Sequence, residues 1–312
     1  MKDEISIQKF GGFSAFAWWV LSYTVIVIAW GAYVRATGSG AGCGDHWPLC
    51  NGEVIPQDPS VARLIEFSHR LTSGLSLVFV GVLFFWSTRR FEKNHPIRSA
   101  CFMSLIFIIG EAIVGAALVL LKLVAGNDSV LRAVVISAHL VNTFLLLFWL
   151  ARVVYLASGG RSYTSINPRL KLNLRLCMLG FLITGASGAI VALGDTLFPT
   201  ESLAKGFAED FSPAAHFLIK LRIWHPVIAL AVTMYILIQC FALPRLFKGE
   251  ISQRLAVLVG GFVTLQLIGG IVNWLLLAPL GMQMFHLILA DITWIALCFW
   301  YFGVGRSQGG YA

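Results

Sequence analysis

Long apolar runs separated by short polar connections dominate this chain. Each run has roughly 20 residues or more, the length that an α-helix needs to cross about 30 Å of hydrocarbon. Continuous runs of this length predict membrane-spanning helices, because the strands of a β-barrel would give short alternating segments. Eight runs qualify, at residues 13–34, 64–87, 100–121, 130–156, 172–193, 219–243, 255–277 and 280–304.

The composition indicates that lipid is the solvent. Hydrophobic residues make up 58% of the 312 residues and charged residues 12%, and the mean hydropathy is +0.80. These values exclude an ordinary soluble domain and a disordered chain. The formal net charge is +8, but no basic run is interleaved with aromatic residues, so we expect no nucleic-acid binding. The predicted fold class is an all-α membrane protein with eight transmembrane helices.

The basic residues predict how the chain is oriented. Of the 23 Lys and Arg residues, 15 lie in the N-terminal segment, the second, fourth and sixth connections and the C-terminal tail. This excess predicts that both termini are cytoplasmic. The first apolar run is too long for a signal peptide, so we expect it to be retained. We therefore expect a multi-pass protein of a bacterial inner membrane.

Two of the six cysteines stand apart from the others. Cys43 and Cys50 lie in the first connection, on the predicted external side, where a disulfide that closes a short loop is reasonable. The alternative is a zinc site that adds His46, but it supplies only three ligands and requires reduced thiols. We expect the other cysteines to be small packing residues in the cytoplasmic halves of their spans: Cys101, Cys177, Cys240 and Cys298.

Similar sequences recur at a nearly constant spacing. Gly31 and Gly188 each begin a Gly-Ala-x-Val sequence near the end of a span, 157 residues apart, and Gly115 and Gly270 are 155 residues apart. The recurrence predicts two pseudo-symmetric four-helix bundles, at residues 1–160 and 161–312, related by an axis along the membrane normal. The polar stretch 158–167 is the expected boundary.

Four histidines lie one in each even-numbered span, all at a depth corresponding to the outer third of the bilayer. A single such histidine is commonly a hydrogen-bonded core residue. Two facing imidazoles without a recurring carboxylate suit the axial positions of a haem iron better than a zinc ion. The repeat pairs His69 with His139 and His225 with His286, which predicts two haem sites near the external face. His216 is the alternative ligand from the sixth span.

A carboxyl group distinguishes the two predicted sites. Glu66 lies three residues before His69, whereas the second half has Arg222 at the corresponding position. This difference predicts chemistry at the first site, and electron transfer or stabilisation of the fold at the second. The alternative is that Glu66 only forms an interfacial ion pair with Arg70 or Arg63.

Other charged residues near these depths are candidates for haem contacts. We expect Arg35 and Arg70 to pair with haem propionates. Glu111 and Asp291 are intramembrane acids, and either could hydrogen-bond a haem ligand or only a neighbouring backbone.

Three strings in the first half resemble the haem A synthase family. They are Gly-Ala-Tyr-Val-Arg-Ala-Thr-Gly-Ser-Gly at 31–40, the stretch 43–50 that ends in Trp-Pro-Leu-Cys, and Glu-Phe-Ser-His-Arg at 66–70. The resemblance implies an enzyme that oxidises a methyl substituent of haem O to the formyl group of haem A, which terminal oxidases use. It also implies contact with haem O synthase (protohaem farnesyltransferase), an electron acceptor of unknown identity and a homo-oligomer.

The resemblance assigns a role to each candidate residue. It implies that His69 and His139 hold the substrate haem beside a catalytic Glu66, and that His225 and His286 hold a haem b. The pair Cys43 and Cys50 matches the family's functional cysteine pair.

This chain departs from the usual family pattern at three points. Pro226 follows His225 where arginine is common, and we expect it to kink the helix below the ligand. Glu111 replaces a frequent glutamine, and the second half has no external cysteine pair. Two other functions would use the same four histidines: a non-catalytic di-haem electron carrier resembling cytochrome b, and a haem transporter or chaperone.

Overall fold

The computed structural model describes residues 11–57, 60–160, 168–246 and 250–304. Within these ranges the regular secondary structure is helical, apart from an isolated bridge between Cys50 and Glu53. The α-helices, in chain order, are α1 (Gly12–Ala36), α2 (Val61–Arg90), α3 (Pro96–Leu120), α4 (Val130–Ala157), α5 (Pro168–Leu197), α6 (Leu203–Asp210), α7 (Phe217–Lys220), α8 (Trp224–Leu246), α9 (Glu250–Leu275) and α10 (Leu280–Gly303).

Eight segments of the described chain are long and apolar enough to cross a membrane, which confirms the predicted spans. Seven of them are single helices. The sixth runs from Phe217 to Leu243 and joins α7 to α8 through a 3-10 turn at Leu221–Ile223. The short helix α6 was not predicted, because its apolar residues are too few to stand out from a polar connection. The protein is therefore an all-α, multi-pass membrane protein.

Local signals in the sequence set where the spans begin. The hydroxyls of Ser60 and Ser129 accept hydrogen bonds from backbone N–H groups of the first turns of α2 and α4. Such caps satisfy donors that have no partner within the helix. Pro96 is the first residue of α3, where its missing N–H costs nothing. These caps fix the start of α2 and α4, the helices that carry the first two candidate histidines.

The long helices contact one another in two closed cycles. In the first cycle α1, α2, α3 and α4 contact in order and α4 returns to α1; in the second, α5, α8, α9 and α10 do the same. The cycles meet where α4 contacts α5 and α10, and the indole of Trp294 there donates a hydrogen bond to the carbonyl of Phe144 at 2.6 Å. The proposed division at 158–167 falls mainly on residues outside the described ranges, and it stays a prediction, as do the statements made about residues 1–10.

A loop at residues 37–57 connects α1 to α2, and we call it the disulfide loop. Cys43 and Cys50 are bonded to each other in it, and both are buried. Both sulfur atoms are therefore used by the bridge and not by a zinc site. The other four cysteines are free.

Candidate functional site

The structure brings the four candidate histidines together in two pairs. The imidazoles of His69 on α2 and His139 on α4 are close enough to interact electrostatically, and those of His225 on α8 and His286 on α10 are likewise close. All four side chains are half-buried. Among the described residues, no cluster of three or more His, Cys, Asp or Glu side chains could hold a metal ion. The arrangement leaves two imidazoles, one from each of two helices, for each candidate site.

Small residues on the neighbouring helices make room for the imidazoles. A Cβ atom at Gly31 would lie 2.8 Å from Cε1 of His69, and one at Gly188 would lie 3.0 Å from Cε1 of His225. These two glycines form one of the two pairs that indicated the repeat. Their recurrence therefore has a physical reason: each lets a helix backbone lie against a ring that a larger residue would displace.

The ring nitrogens differ in how they are held. Nδ1 of His225 is 2.9 Å from the hydroxyl of Ser187, so Nε2 is the nitrogen that remains for a ligand. Nδ1 of His69 is buried and has no hydrogen-bond partner among the described residues. At His286 the amide nitrogen of Gln266 is 3.3 Å from Nε2, so this ring would have to exchange that contact for any ligand. The rings of His69 and His225 are thus the more accessible of these three to a ligand.

The remaining ring, that of His139, contacts an acid. Oε2 of Glu111 on α3 lies 3.0 Å from Nδ1 of His139. The sequence singled out both residues, but it did not predict this contact because they lie on different helices.

Glu66 is buried, with 4% of its surface exposed, and both of its oxygens accept hydrogen bonds. Oε2 accepts from the backbone N–H of Cys43 at 2.8 Å, and Oε1 accepts from Nε of Arg70 at 3.1 Å. The ion pair with Arg70 that the sequence offered as an alternative is therefore present, at 2.5 Å. The hydrogen bond from Cys43 is additional to this ion pair, and it connects the carboxylate to a residue of the disulfide.

Arg70 also binds the disulfide loop directly. Its Nη1 donates to the carbonyl oxygens of His46 at 2.6 Å and Leu49 at 2.7 Å, while Nε and Nη2 face Glu66. Most of its donors are therefore engaged by the protein itself. The expected pairing with a propionate stays a prediction.

Arg35 reaches from the first cycle of helices into the second. It donates to the carbonyl of Ala192 at 2.6 Å, to the hydroxyl of Thr196 at 2.8 Å and to Oε1 of Gln283 at 3.2 Å. Ala192 occupies the position 157 residues after Arg35, so the guanidinium binds its own repeat-related site. This residue connects the halves, and its predicted role toward a propionate also remains a prediction.

The remaining candidates have other contacts. Nε2 of His216 is 3.5 Å from Asp128, and its ring lies 4.9 Å from that of Phe198, so its contacts are not with the paired imidazoles. Arg222 lies 3.2 Å from Asp195. Pro226 is in the first turn of α8, just after the 3-10 turn Leu221–Ile223 of the sixth span, and the expected kink below His225 stays a prediction.

A Trp and a Ser occupy repeat-related positions in opposite order: the helix position that has Trp in one half has Ser in the other. In the first half the indole of Trp30 on α1 donates to the hydroxyl of Ser68 on α2 at 3.0 Å. In the second half the serine is Ser187 on α5 and the tryptophan is Trp224 on α8, at repeat offsets of 157 and 156 residues. Sequence reasoning missed Ser187, although aligning the halves residue by residue would have shown the exchange.

Comparison with known proteins gives a consistent result over most of the chain. The family model COX15-CtaA, described as cytochrome oxidase assembly protein, matches residues 14–298. A Bacillus mycoides protein named Heme A synthase is 28% identical over 286 residues, which cover 88% of each chain. The Heme A synthase of Alkalihalophilus pseudofirmus is 29% identical over 283 residues, covering 88% of this chain and 91% of that one.

A second kind of relative is longer than this chain. A Thermus thermophilus protein named Protoheme IX farnesyltransferase is 44% identical over 291 residues, which are 92% of this chain but 47% of that protein. The protein of the same name from a second strain of that organism matches to the same extent. The chain thus spans about half the length of these two relatives.

Proposed function

Because the chain belongs to the COX15-CtaA family of cytochrome oxidase assembly proteins, we propose that it is a haem A synthase. It oxidises a methyl substituent of haem O to a formyl group and so gives haem A. The observation that carries the proposal is the difference between the two histidine pairs. Glu66 lies buried one turn before His69, and Arg222 stands at the matching position of the second pair.

In this proposal His69 and His139 hold the substrate haem O, and His225 and His286 hold a resident haem b. The contacts of the four rings fit such groups. Nδ1 of His225 is occupied by Ser187, so Nε2 remains for iron, and Gly188 lets the backbone of α5 lie against the ring, which a Cβ atom there would meet at 3.0 Å. In the first pair, Nδ1 of His69 has no partner among the described residues, and the acid beside His139 lies at Nδ1, so Nε2 of His139 is the nitrogen proposed to bind iron. His286 fits once the amide beside it has turned away from Nε2.

The change from methyl to formyl proceeds by two successive hydroxylations, each a two-electron oxidation whose electrons pass to the separate acceptor. The first gives an alcohol, and the second gives a hydrated aldehyde that loses water to form the formyl group. Bound iron supplies the redox chemistry, and the protein supplies position and electrostatic field. Glu66 carries a negative charge that a hydrogen bond from Cys43 and the ion pair with Arg70 stabilise. In that position it can accept a proton from the reacting group or stabilise positive charge that develops there.

Precise placement of the carboxylate follows from the disulfide loop. Arg70 holds both the loop and Glu66, and Cys43 holds the other oxygen of the same carboxylate. An acid fixed in this way loses little freedom when the substrate arrives, which favours catalysis by orientation. Arg35 and Arg70 are also the proposed partners of the haem propionates.

The arrangement of the whole protein is part of the same proposal. We place the haem sites toward the external face of a bacterial inner membrane, with both termini in the cytoplasm, on the distribution of Lys and Arg. Residues 1–160 form the catalytic half and residues 161–312 the haem b half. The relative named Protoheme IX farnesyltransferase supports haem O synthase as the partner that delivers the substrate. We also propose that the protein forms a homo-oligomer and that a separate molecule accepts the electrons.

Pigment analysis tests the function. The protein is co-expressed with a source of haem O and purified, and the extracted haems are separated and identified by mass spectrometry. We expect haem A or its hydroxylated intermediate. Recovery of unmodified haem O and haem b alone would instead indicate a di-haem electron carrier.

A further inference from the structure

A network of polar side chains surrounds the acid on α3. Oε1 of Glu111 accepts a hydrogen bond from the amide of Asn142 at 2.5 Å, and Oε2 is 3.0 Å from the hydroxyl of Thr143. The same Oε2 is 3.0 Å from Nδ1 of His139. Asn142 is itself fixed, because its amide also donates to the carbonyl of Phe107 at 2.9 Å. Thr143 therefore engages the carboxylate oxygen that faces the imidazole, and Asn142 engages the other oxygen.

The second half has no such carboxylate among its described residues. The position 155 residues after Glu111 is Gln266, whose neutral amide lies beside the ring of His286. On the partner helix, the ring of His225 contacts the hydroxyl of Ser187. The described contacts of the second pair are thus with neutral groups, and one ring of the first pair contacts an anion.

A carboxylate at the outer nitrogen of a ligating histidine changes the iron. Its negative charge beside Nδ1 favours a proton on that nitrogen, leaves Nε2 as the donor atom and raises the basicity of the ligand. A more basic axial ligand stabilises ferric over ferrous iron and so lowers the reduction potential. In the rotamer seen, Nδ1 and Oε2 are close without a well-aligned hydrogen bond, so the interaction is chiefly electrostatic.

We propose that Glu111 is a positioning residue that acts through His139 and makes the first haem the lower-potential one of the two. This inference rests on the proposed function, because it requires haem at both histidine pairs. Because the first haem then has the lower potential, electrons withdrawn at the substrate site are favoured to move toward the second haem. Asn142 tempers the effect, because its hydrogen bond takes up part of the charge of the same carboxylate.

A redox titration of the purified, haem-loaded full chain tests the inference. The two haems are followed optically, and the first is assigned by its loss in His139→Ala. Glu111→Gln keeps the size of the side chain and removes its charge, so the potential of the first haem should shift upward and that of the second should stay unchanged. The second haem is thus an internal control within each sample.

A second variant separates an electronic effect from loosened packing. Asn142→Ala removes a donor that competes for the carboxylate, so the first potential should shift downward, opposite to Glu111→Gln. An unchanged potential in Glu111→Gln, or an upward shift in both variants, would overturn the role of Glu111. If Glu111→Gln does not retain the first haem, Asn142→Ala tests the role of Glu111 alone. A downward shift of the first potential then supports that role, and an upward shift overturns it. A wild-type protein that binds no haem at the first pair would contradict the proposed function itself.

Discussion

The backbone N–H of Cys43 donates a hydrogen bond to Oε2 of Glu66 at 2.8 Å, across 23 positions of the chain. One partner belongs to a disulfide and the other is the proposed catalytic acid. The disulfide to Cys50 closes the loop in which this N–H lies, and Arg70 of α2 binds carbonyl groups of the same loop. The geometry of the acid therefore depends on a covalent bond in the loop that precedes its helix.

Removing the disulfide should lower catalysis more than haem binding. In Cys43→Ser/Cys50→Ser the loop is no longer closed, so the N–H that holds Glu66 loses its fixed position. We expect the yield of haem A relative to haem O to fall about tenfold or more, since small displacements of a reacting group cost up to about 100-fold. The measurement is the ratio of extracted haems.

Cys240→Ser is the matched control, because it changes a free, half-buried cysteine of the second half. It should leave the ratio as in the wild type. An unchanged ratio in the double variant would show that the loop does not position the acid.

Arg70 and Lys122 are among the basic residues that bind the disulfide loop, and they should differ in importance. Arg70 is largely buried and holds both the loop and Glu66, whereas Lys122 forms an exposed ion pair with Asp45 at 2.7 Å. Exposed pairs contribute little to stability. We therefore expect Arg70→Ala to reduce haem A formation strongly and Lys122→Ala to leave it unchanged, as measured by the ratio of extracted haems.

The same exposed pair gives a pH dependence with a defined sign. The hydrogen bond and the charge of Asp45 raise the pKa of Lys122 above its usual value. The small contribution of the pair to stability is therefore present at neutral pH and is lost as the pH rises through that raised pKa.

The comparison of the two variants has a contrary outcome. If activity in Lys122→Ala fell as far as in Arg70→Ala, the loss of loop contacts in general would explain both results, and not the loss of the contact between Arg70 and Glu66.

Neutralising the proposed acid should separate chemistry from binding. Glu66→Gln keeps the shape of the side chain and can still accept one hydrogen bond, but it cannot take up a proton at neutral pH. We expect haem A formation to fall by about 100-fold or more, the usual contribution of a general base. Haem O should still bind, as judged by the optical spectrum of the purified variant.

Glu201→Gln serves as the control, since Glu201 is an exposed acid paired with Lys205. Normal haem A formation in Glu66→Gln, together with a lower melting temperature, would mean that Glu66 serves only in the ion pair with Arg70.

The spans were predictable because lipid imposes a single requirement on every one of them. The predicted run 130–156 and helix α4, Val130–Ala157, differ by one residue at one end. Where a polar connection contains a helix, as at α6, no comparable requirement exists and the sequence showed no sign of it.

The sequence indicated the four histidines and the acids of the candidate site, but it missed Ser187 and did not predict most of the contacts. Four histidines in even-numbered spans had to lie near one end of the protein, and the structure pairs them. The hydrogen bond from Cys43 to Glu66 is donated by a backbone N–H, which nearly every residue has, so no pattern of side chains could have predicted it. The reach of Arg35 to Ala192 joins helices whose relative placement depends on the whole fold.

Asp291 on α10 is a buried acid whose place in the protein predicts a cost to stability. It is fully buried, and neither of its oxygens has a hydrogen-bond partner among the described residues. A buried polar group without a partner costs about 1–3 kcal/mol by mutational measures. Asp291→Leu should therefore raise the melting temperature of the purified protein, and haem content should stay unchanged. Leu289→Ala, a buried apolar truncation on the same helix, should lower it by creating a cavity. If Asp291→Leu instead lost the second haem or destabilised the protein, the carboxyl would have a partner that forms only in the loaded protein.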